Sequence, residues 1–344
     1  MEIRGGYMKT REIKTALKLL TSVIKPNKLK PITELLEIRD NSLYMTDNFS
    51  AMSYKLSCEI PSCVINATKL KELLNLTTKE DVEFVFKNDH LLMKANGKYK
   101  LTIVDNVDLG IQFPNISDYQ SIDVSSYSKL MERCKYSFLS SSAQDLFRYY
   151  FYDGKALATN SENISVVYNM PMVEPELYPM IVDDLAKFNC QLNFAVSDRG
   201  YYFFNDTIQY MTLRTQQGKF PSEMVSKVAE LPCPSNYMSI ERNALQSALK
   251  RLQTADSNIF DTPIFSLTLK GNNATIISEK HIAEETIECT ECSGEGTIVL
   301  PIEGTLKLLK LCEANIRLSF DSTMLFIEDN IGRFILSAMN PEEA

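Results

Sequence analysis

"QQGKFPSEM", Gln216 to Met224, echoes "DLGIQFPNI", Asp108 to Ile116. In both a Gly stands ahead of a Phe-Pro pair, and Phe113 and Phe220 lie 107 positions apart. Phe-Pro is a common dipeptide, so the echo matters only if the surrounding elements repeat with it. A proline can end a last strand and turn the chain onward, which makes each phrase a candidate domain end.

The elements do repeat. Residues 9–24 have helical period, within a span counted as 9–30, with Ile13, Leu17, Leu20 and Ile24 on one face and Arg11, Lys14 and Lys18 on another. Strand-like segments lead to a second helical stretch at 67–79, then to the hairpin "LLMKANGKYKLTIV", where Asn96-Gly97 signals a type I′ turn. Phe113-Pro114 closes this block. The order returns with helical spans 126–139 and 181–192 before Phe220-Pro221, and again with 241–254 and 302–313. The chain therefore reads as three domains, 1–120, 121–232 and 233–344, each made of two helix-plus-strands units. Such alternation predicts an α+β fold with helices segregated to one side of antiparallel sheets.

A length of 344 residues suits two or three cores, and 44% hydrophobic with 23% charged residues is ordinary for a globular protein. No apolar run reaches the length of a membrane span, and "MEIRGGYMKT" lacks the apolar centre of a signal peptide, so the expected compartment is the cytoplasm. Eight scattered cysteines fit reduced thiols better than a disulfide framework.

The net charge of −8 argues against a generally basic nucleic-acid binder, but the average hides an asymmetry. The six helical spans carry 19 Lys and Arg against 8 Asp and Glu, while the rest of the chain carries 17 against 36. Lysine-rich surface helices also serve solubility alone. Positive helices in an acidic chain gain a specific meaning if they face one polyanion, because their side chains then displace counterions from phosphates. Span 181–192 departs from the pattern, with Asp183 and Asp184 against Lys187 alone.

Along nearly its whole length the chain resembles the bacterial DNA polymerase III beta subunit, the sliding clamp. The similarity rests on "MKTREIKTALKLLTSVI", "KPITELLEIRDNSLYMTDNFSAM", "FPNISDY", "QDLFRYY" and "GKFPSE" in that order and spacing. It starts near Met8, so residues 1–7 are expected to be an extension or an upstream start. The resemblance implies three similar DNA-clamp domains, helices facing a ring interior and sheets outside, in a head-to-tail homodimer. It implies a replication processivity factor, not an enzyme, with no cofactor and no metal. The partners implied are double-stranded DNA bound without regard to sequence, the replicative polymerase and a clamp loader, and no membrane.

A clamp should touch phosphates and avoid base edges, which would trap it at particular sequences. The candidates are Arg11, Lys14 and Lys18, the turn cluster Lys25, Lys28 and Lys30, then Lys69, Lys129, Arg133, Lys250, Arg251, Lys307 and Lys310. Arg148, Tyr149 and Tyr150 match the family's Arg-Tyr-Tyr near DNA, although "RYYFY" is also an ordinary strand. The resemblance further implies an apolar pocket for a partner peptide, carried over to Thr159, Ile164, Pro221, Val225, Ile335 and Met339. Its rim departs from the family at Asn160-Ser161-Glu162-Asn163, Val225-Ser226 and Ala338. Divergence there is the pattern expected of a phage-encoded member with its own replication partners.

Other readings have less behind them. "CTECSGEG", Cys289 to Gly296, fits a zinc repeat in letter, but no second C-x-x-C exists and His90 and His281 are the only histidines. Ser293-Gly294 there suits a turn. No G-x-S-x-G, P-loop or H-E-x-x-H is present. Adjacent Asp183 and Asp184 read as charge complements at a helix start. The rival from another class is a non-ring module that stacks single-stranded DNA on Tyr149 and Tyr150.

Overall fold

The computed structural model describes residues 2–58, 60–87, 90–105, 107–137, 148–160, 163–213, 220–255, 263–271, 273–278 and 283–338. The chain forms two compact units, Met1–Ser128 with Asp183–Gln216, and Lys129–Val182 with Gln217–Ala344. The middle block of the sequence is thus shared between them. The reason lies in the sheets, which run on from block to block by edge pairing.

In the first unit, an eight-stranded antiparallel sheet joins strands of the first block to strands of the second through Ser50–Lys55 and Ile208–Thr212, with Met52 opposite Tyr210. In the second unit, a nine-stranded sheet is joined by Asn163–Tyr168 against Gly332–Ser337, with Ile164 opposite Ile335. The second joint needs a glycine, since a Cβ at Gly332 would collide with the carbonyl oxygen of Val166. Each unit also holds a four-stranded sheet, Glu2–Lys9 to Lys98–Thr102 in one and Ile264–Lys270 to Gly296–Pro301 in the other.

The two Phe-Pro phrases cover these joints. Phe113 stacks on Tyr44 and Tyr202, with centroids 6.4 and 5.8 Å away, beside the first joint. Phe220 is buried against Ile164, Val166, Phe326 and Ile335 at the second.

The α+β expectation holds, with seven α-helices among the described residues. Helix α1, Thr10–Val23, buries Ile13, Ala16, Leu17, Leu20 and Val23. Ile13, Leu17, Leu20 and Val23 each contribute about 1.5–3 kcal/mol by leaving water. The span read as 9–30 stops at Val23 because Ile24 is extended and Lys25 precedes Pro26, which disfavours helix. Helix α2, Ala67–Asn75, is capped by Asn66, whose side chain accepts from the Lys69 amide at 2.9 Å.

Helix α3 is Tyr127–Cys134, and α4, Pro179–Leu185, is a short element that starts ahead of the expected 181. Helix α5, Ser222–Ala229, was not expected, so the second Phe-Pro opens a helix as well as closing strands. Helices α6, Arg242–Ala255, and α7, Ile302–Leu309, pack on one another and bury Leu245, Leu249, Leu252, Leu306 and Leu309.

Two local expectations change and one holds. Residues 2–7 belong to a strand, Glu2–Lys9, paired with Asp81–Lys87. Lys94 pairs with Lys98 around a three-residue loop, and neither Asn96 nor Gly97 has positive φ, so the turn is not type I′. The Asn96 amide is engaged elsewhere, Nδ2 donating to Thr78 Oγ1 at 2.7 Å and Oδ1 accepting from the Thr78 amide at 3.1 Å. Gly294 does adopt φ +85°, as a turn at Ser293-Gly294 requires.

Candidate nucleic-acid interface and peptide site

Helical period puts the basic residues of α1 opposite its core face. Arg11 and Lys18 are exposed, while Lys14 is half-buried and donates through Nζ to the Thr77 carbonyl at 3.1 Å. Together with Lys79, Thr77, Thr78 and Glu80 they line a cleft of about 360 Å³. Lys25, Lys28 and Lys30 are exposed in the segment after α1, and Lys69 is exposed on α2. In the second unit Lys129, Lys250 and Lys310 are exposed. Arg251 is exposed but bidentate to Glu285, both contacts 2.6 Å, and Lys307 pairs with Glu303 at 2.6 Å. Surface pairs of this kind contribute 0–1 kcal/mol and yield to a denser anion, roughly on the scale of thermal energy.

Three candidate DNA contacts are buried, and a fourth packs on protein rings. Arg133 is buried, donating to both carboxylate oxygens of Asp329 at 2.6 and 2.9 Å and to the Leu311 carbonyl at 2.7 Å. Its guanidinium also lies 4.2 Å from the Phe334 ring centroid. The Asp329 carboxylate accepts further from the amides of Glu313, Ile331 and Gly332. Arg148 is buried against Glu176 at 2.6 Å, and Tyr149 is buried in the sheet. None of these three presents its polar group to a phosphate. Tyr150 faces the other way and stacks between Tyr152 and Phe220, centroids 5.6 and 5.5 Å apart. It packs against the apolar cluster that contains Phe220.

The acidic pair in span 181–192 has a structural explanation. Asp183 and Asp184 lie at the end of α4, not at its start. Asp184 accepts from Tyr210 Oη at 2.8 Å and from Lys187 Nζ at 2.7 Å, and Lys187 also donates to the Ser22 carbonyl. Burial holds the Asp184 carboxyl above its ordinary range, with Lys187 and Tyr210 offsetting part of that shift.

Of the peptide-site residues, Ile164, Val225 and Ile335 come together in one apolar cluster with Leu157, Phe220 and Phe326. Tyr150, Tyr152, Tyr168, Val228, Leu231 and Met324 flank it and are partly open to solvent. Pro221 caps α5, which carries Val225 and Val228 into the cluster and leaves Met224 63% exposed. Thr159 is buried beside it, its hydroxyl donating to the Asn163 carbonyl at 2.8 Å. Met339, with Ser161 and Glu162 of the altered rim, lies outside the described residues. Sequence reading set Tyr150 near DNA and left Tyr152 unassigned, yet alternation along "YYFY" already sets Tyr150 and Tyr152 on one face and Tyr149 and Phe151 on the other.

The fold has counterparts among solved structures. The chain superposes on the DNA polymerase III beta subunit of Thermotoga maritima with a TM-score of 0.78, covering 98% of this chain and 100% of that one at 13% identity. The fold is that of a bacterial sliding clamp. A Pseudomonas aeruginosa sliding clamp bound to griselimycin matches with a TM-score of 0.78 at 14% identity, over 98% of this chain and 99% of that one. The Bacillus subtilis sliding clamp gives 0.76 at 13%, with coverage of 98% and 99%. No family model matches the sequence, and no curated protein does. At such identity the likeness establishes the clamp fold, while the residues that would act must be argued from this chain.

Proposed function

We propose that this chain is a DNA sliding clamp, a non-catalytic processivity factor that encircles duplex DNA and tethers a replicative polymerase. The observation that carries the reading is the coincidence of a full-length clamp fold with exposed positive charge on its helices in an otherwise acidic chain. Arg11, Lys14, Lys18, Lys25, Lys28, Lys30, Lys69, Lys129, Lys250, Arg251, Lys307 and Lys310 are the phosphate contacts. Flexible, individually weak contacts hold a duplex while letting it slide, since each exchanges readily with solvent counterions.

On this reading the three blocks are three clamp domains, and a closed ring requires two chains head to tail. The apolar cluster around Ile164, Val225 and Ile335, with Thr159, Pro221 and Met339, receives a short apolar peptide from the polymerase and the clamp loader. Tyr150, Tyr152, Val228 and Met224 give it an accessible floor and edge. The single-strand alternative loses its main support, because Tyr149 is buried and Tyr150 is stacked on protein rings. Sedimentation equilibrium tests the assembly: a mass of twice the 39.1 kDa chain is expected, and a monomer at micromolar concentration contradicts it.

A further inference from the structure

The motif "CTECSGEG" plays no part in clamping, yet the fold gathers its sulfurs. Strand Glu284–Glu288 turns through Cys289 into Glu291–Ser293, which pairs with Asn236–Glu241 so that Cys292 stands opposite Met238. The Cys289 thiol lies 3.9 Å from the Met238 thioether sulfur. Cys292 Sγ donates to the Gly271 carbonyl at 2.9 Å, and both cysteines pack, partly buried, against the core cluster that contains Met238. From Glu284 to Gly296 the chain carries five glutamates and neither Lys nor Arg, which favours a cation over an anion.

We propose that Cys289, Cys292 and Met238 form a binding site for a soft monovalent cation of the Cu(I) class. Two thiolates and a thioether are the donors such an ion takes, in two- or three-coordinate geometry. Zinc demands four donors, and among the described residues no three His, Cys, Asp or Glu side chains come together. Binding replaces two thiol protons, which pass to solvent, and the cation leaves the site with one net negative charge. The Cys289 and Met238 sulfurs are already neighbours, and Cys292 stands opposite Met238 on the adjoining strand. The site is independent of the clamp reading.

The test is anaerobic titration of the full chain with Cu(I) against a chromogenic Cu(I) chelator, with ascorbate as reductant. One equivalent retained by the wild type, by Cys58→Ser and by Cys233→Ser is expected. Its loss in Cys289→Ser and in Cys292→Ser, each verified as folded by circular dichroism, completes the expected result. Met238→Leu, a volume-conserving change, removes one donor sulfur and should weaken retention by at least roughly tenfold, the low end even for groups outside the ligand set. X-ray absorption should show two or three sulfur neighbours. Retention by both serine variants, release of all copper from the wild type, or a nitrogen and oxygen shell overturns the proposal.

Discussion

Arg133 separates a sequence-level reading from a structural one, so its removal is the most discriminating single perturbation. By charge and helical span it looks like a phosphate contact, whereas its side chain and that of Asp329 are only 2% and 0% exposed. Arg133→Ala deletes two charge-assisted hydrogen bonds to Asp329, one to the Leu311 carbonyl and the contact with the Phe334 ring. It leaves a carboxylate without its counter-charge in a dry site. Breaking a buried pair from one side costs about 3–5 kcal/mol. The lower end applies here, because three backbone amides still donate to Asp329 and spread its charge.

Urea unfolding followed by far-ultraviolet circular dichroism reads the loss as a lower midpoint. The pair Arg133→Met with Asp329→Asn should recover part of it, since neither charge is then stranded. DNA retention at a temperature where the variant stays folded should match the wild type. Lys129→Ala, one turn away on the same helix and exposed, should do the reverse, weakening DNA binding at unchanged stability. An Arg133→Ala protein within about 0.5 kcal/mol of wild type that loses DNA affinity with a shallower salt dependence would refute the assignment.

Four further outcomes follow from the same structure. Replacing Arg11 and Lys18 together by Gln should lower the slope of log affinity against log salt by about one per lost phosphate contact, and an unchanged slope removes α1 from the interface. Tyr150→Ala should weaken capture of the polymerase peptide, measured by fluorescence anisotropy, while leaving DNA retention intact; the opposite pattern restores Tyr150 to the DNA face. Asp184 is held above its ordinary 3.8 by burial, so its favourable contribution is complete below that value and is lost as pH rises through the folded-state value. Wild-type stability should therefore fall relative to Asp184→Asn as pH is raised from 4, and parallel profiles contradict the burial argument. Burial pushes Cys63 and Cys312 up to about 12, so iodoacetamide at pH 8 should label them slower than in urea by roughly two orders of magnitude, read by peptide mapping. Equal labelling in the native protein contradicts their enclosure.

Periodicity made the helices and the α+β plan legible, because a core face such as Ile13, Leu17 and Leu20 must repeat every three or four residues. It also held a signal that charge counting overrode. Tyr127, Leu130 and Cys134 form the apolar face of α3, and Arg133, three residues from Leu130, lies on that same face. Its partner Asp329 is 196 positions away, and no local pattern announces a pairing of that range. The compact units were hidden for a related reason. Edge pairing of Ser50–Lys55 with Ile208–Thr212 and of Asn163–Tyr168 with Gly332–Ser337 is a long-range event that leaves only alternating residues in each strand. Helix α5 was masked because Phe220-Pro221 reads as a strand end, although proline equally suits a helix start. The peptide cluster was half legible: Ile164, Val225 and Ile335 followed from resemblance, while Tyr150 and Phe220 came together only through folding.

The central claim is topological: this chain should hold DNA by surrounding it. Retention on a nicked circular plasmid against the same plasmid cut once, after long incubation at high protein concentration and a wash in moderate salt, tests it most directly. The circle should keep its protein while the linear form sheds it over free ends, and blocking those ends should restore retention. Equal loss, or equal retention, on circle and open-ended linear DNA would contradict it.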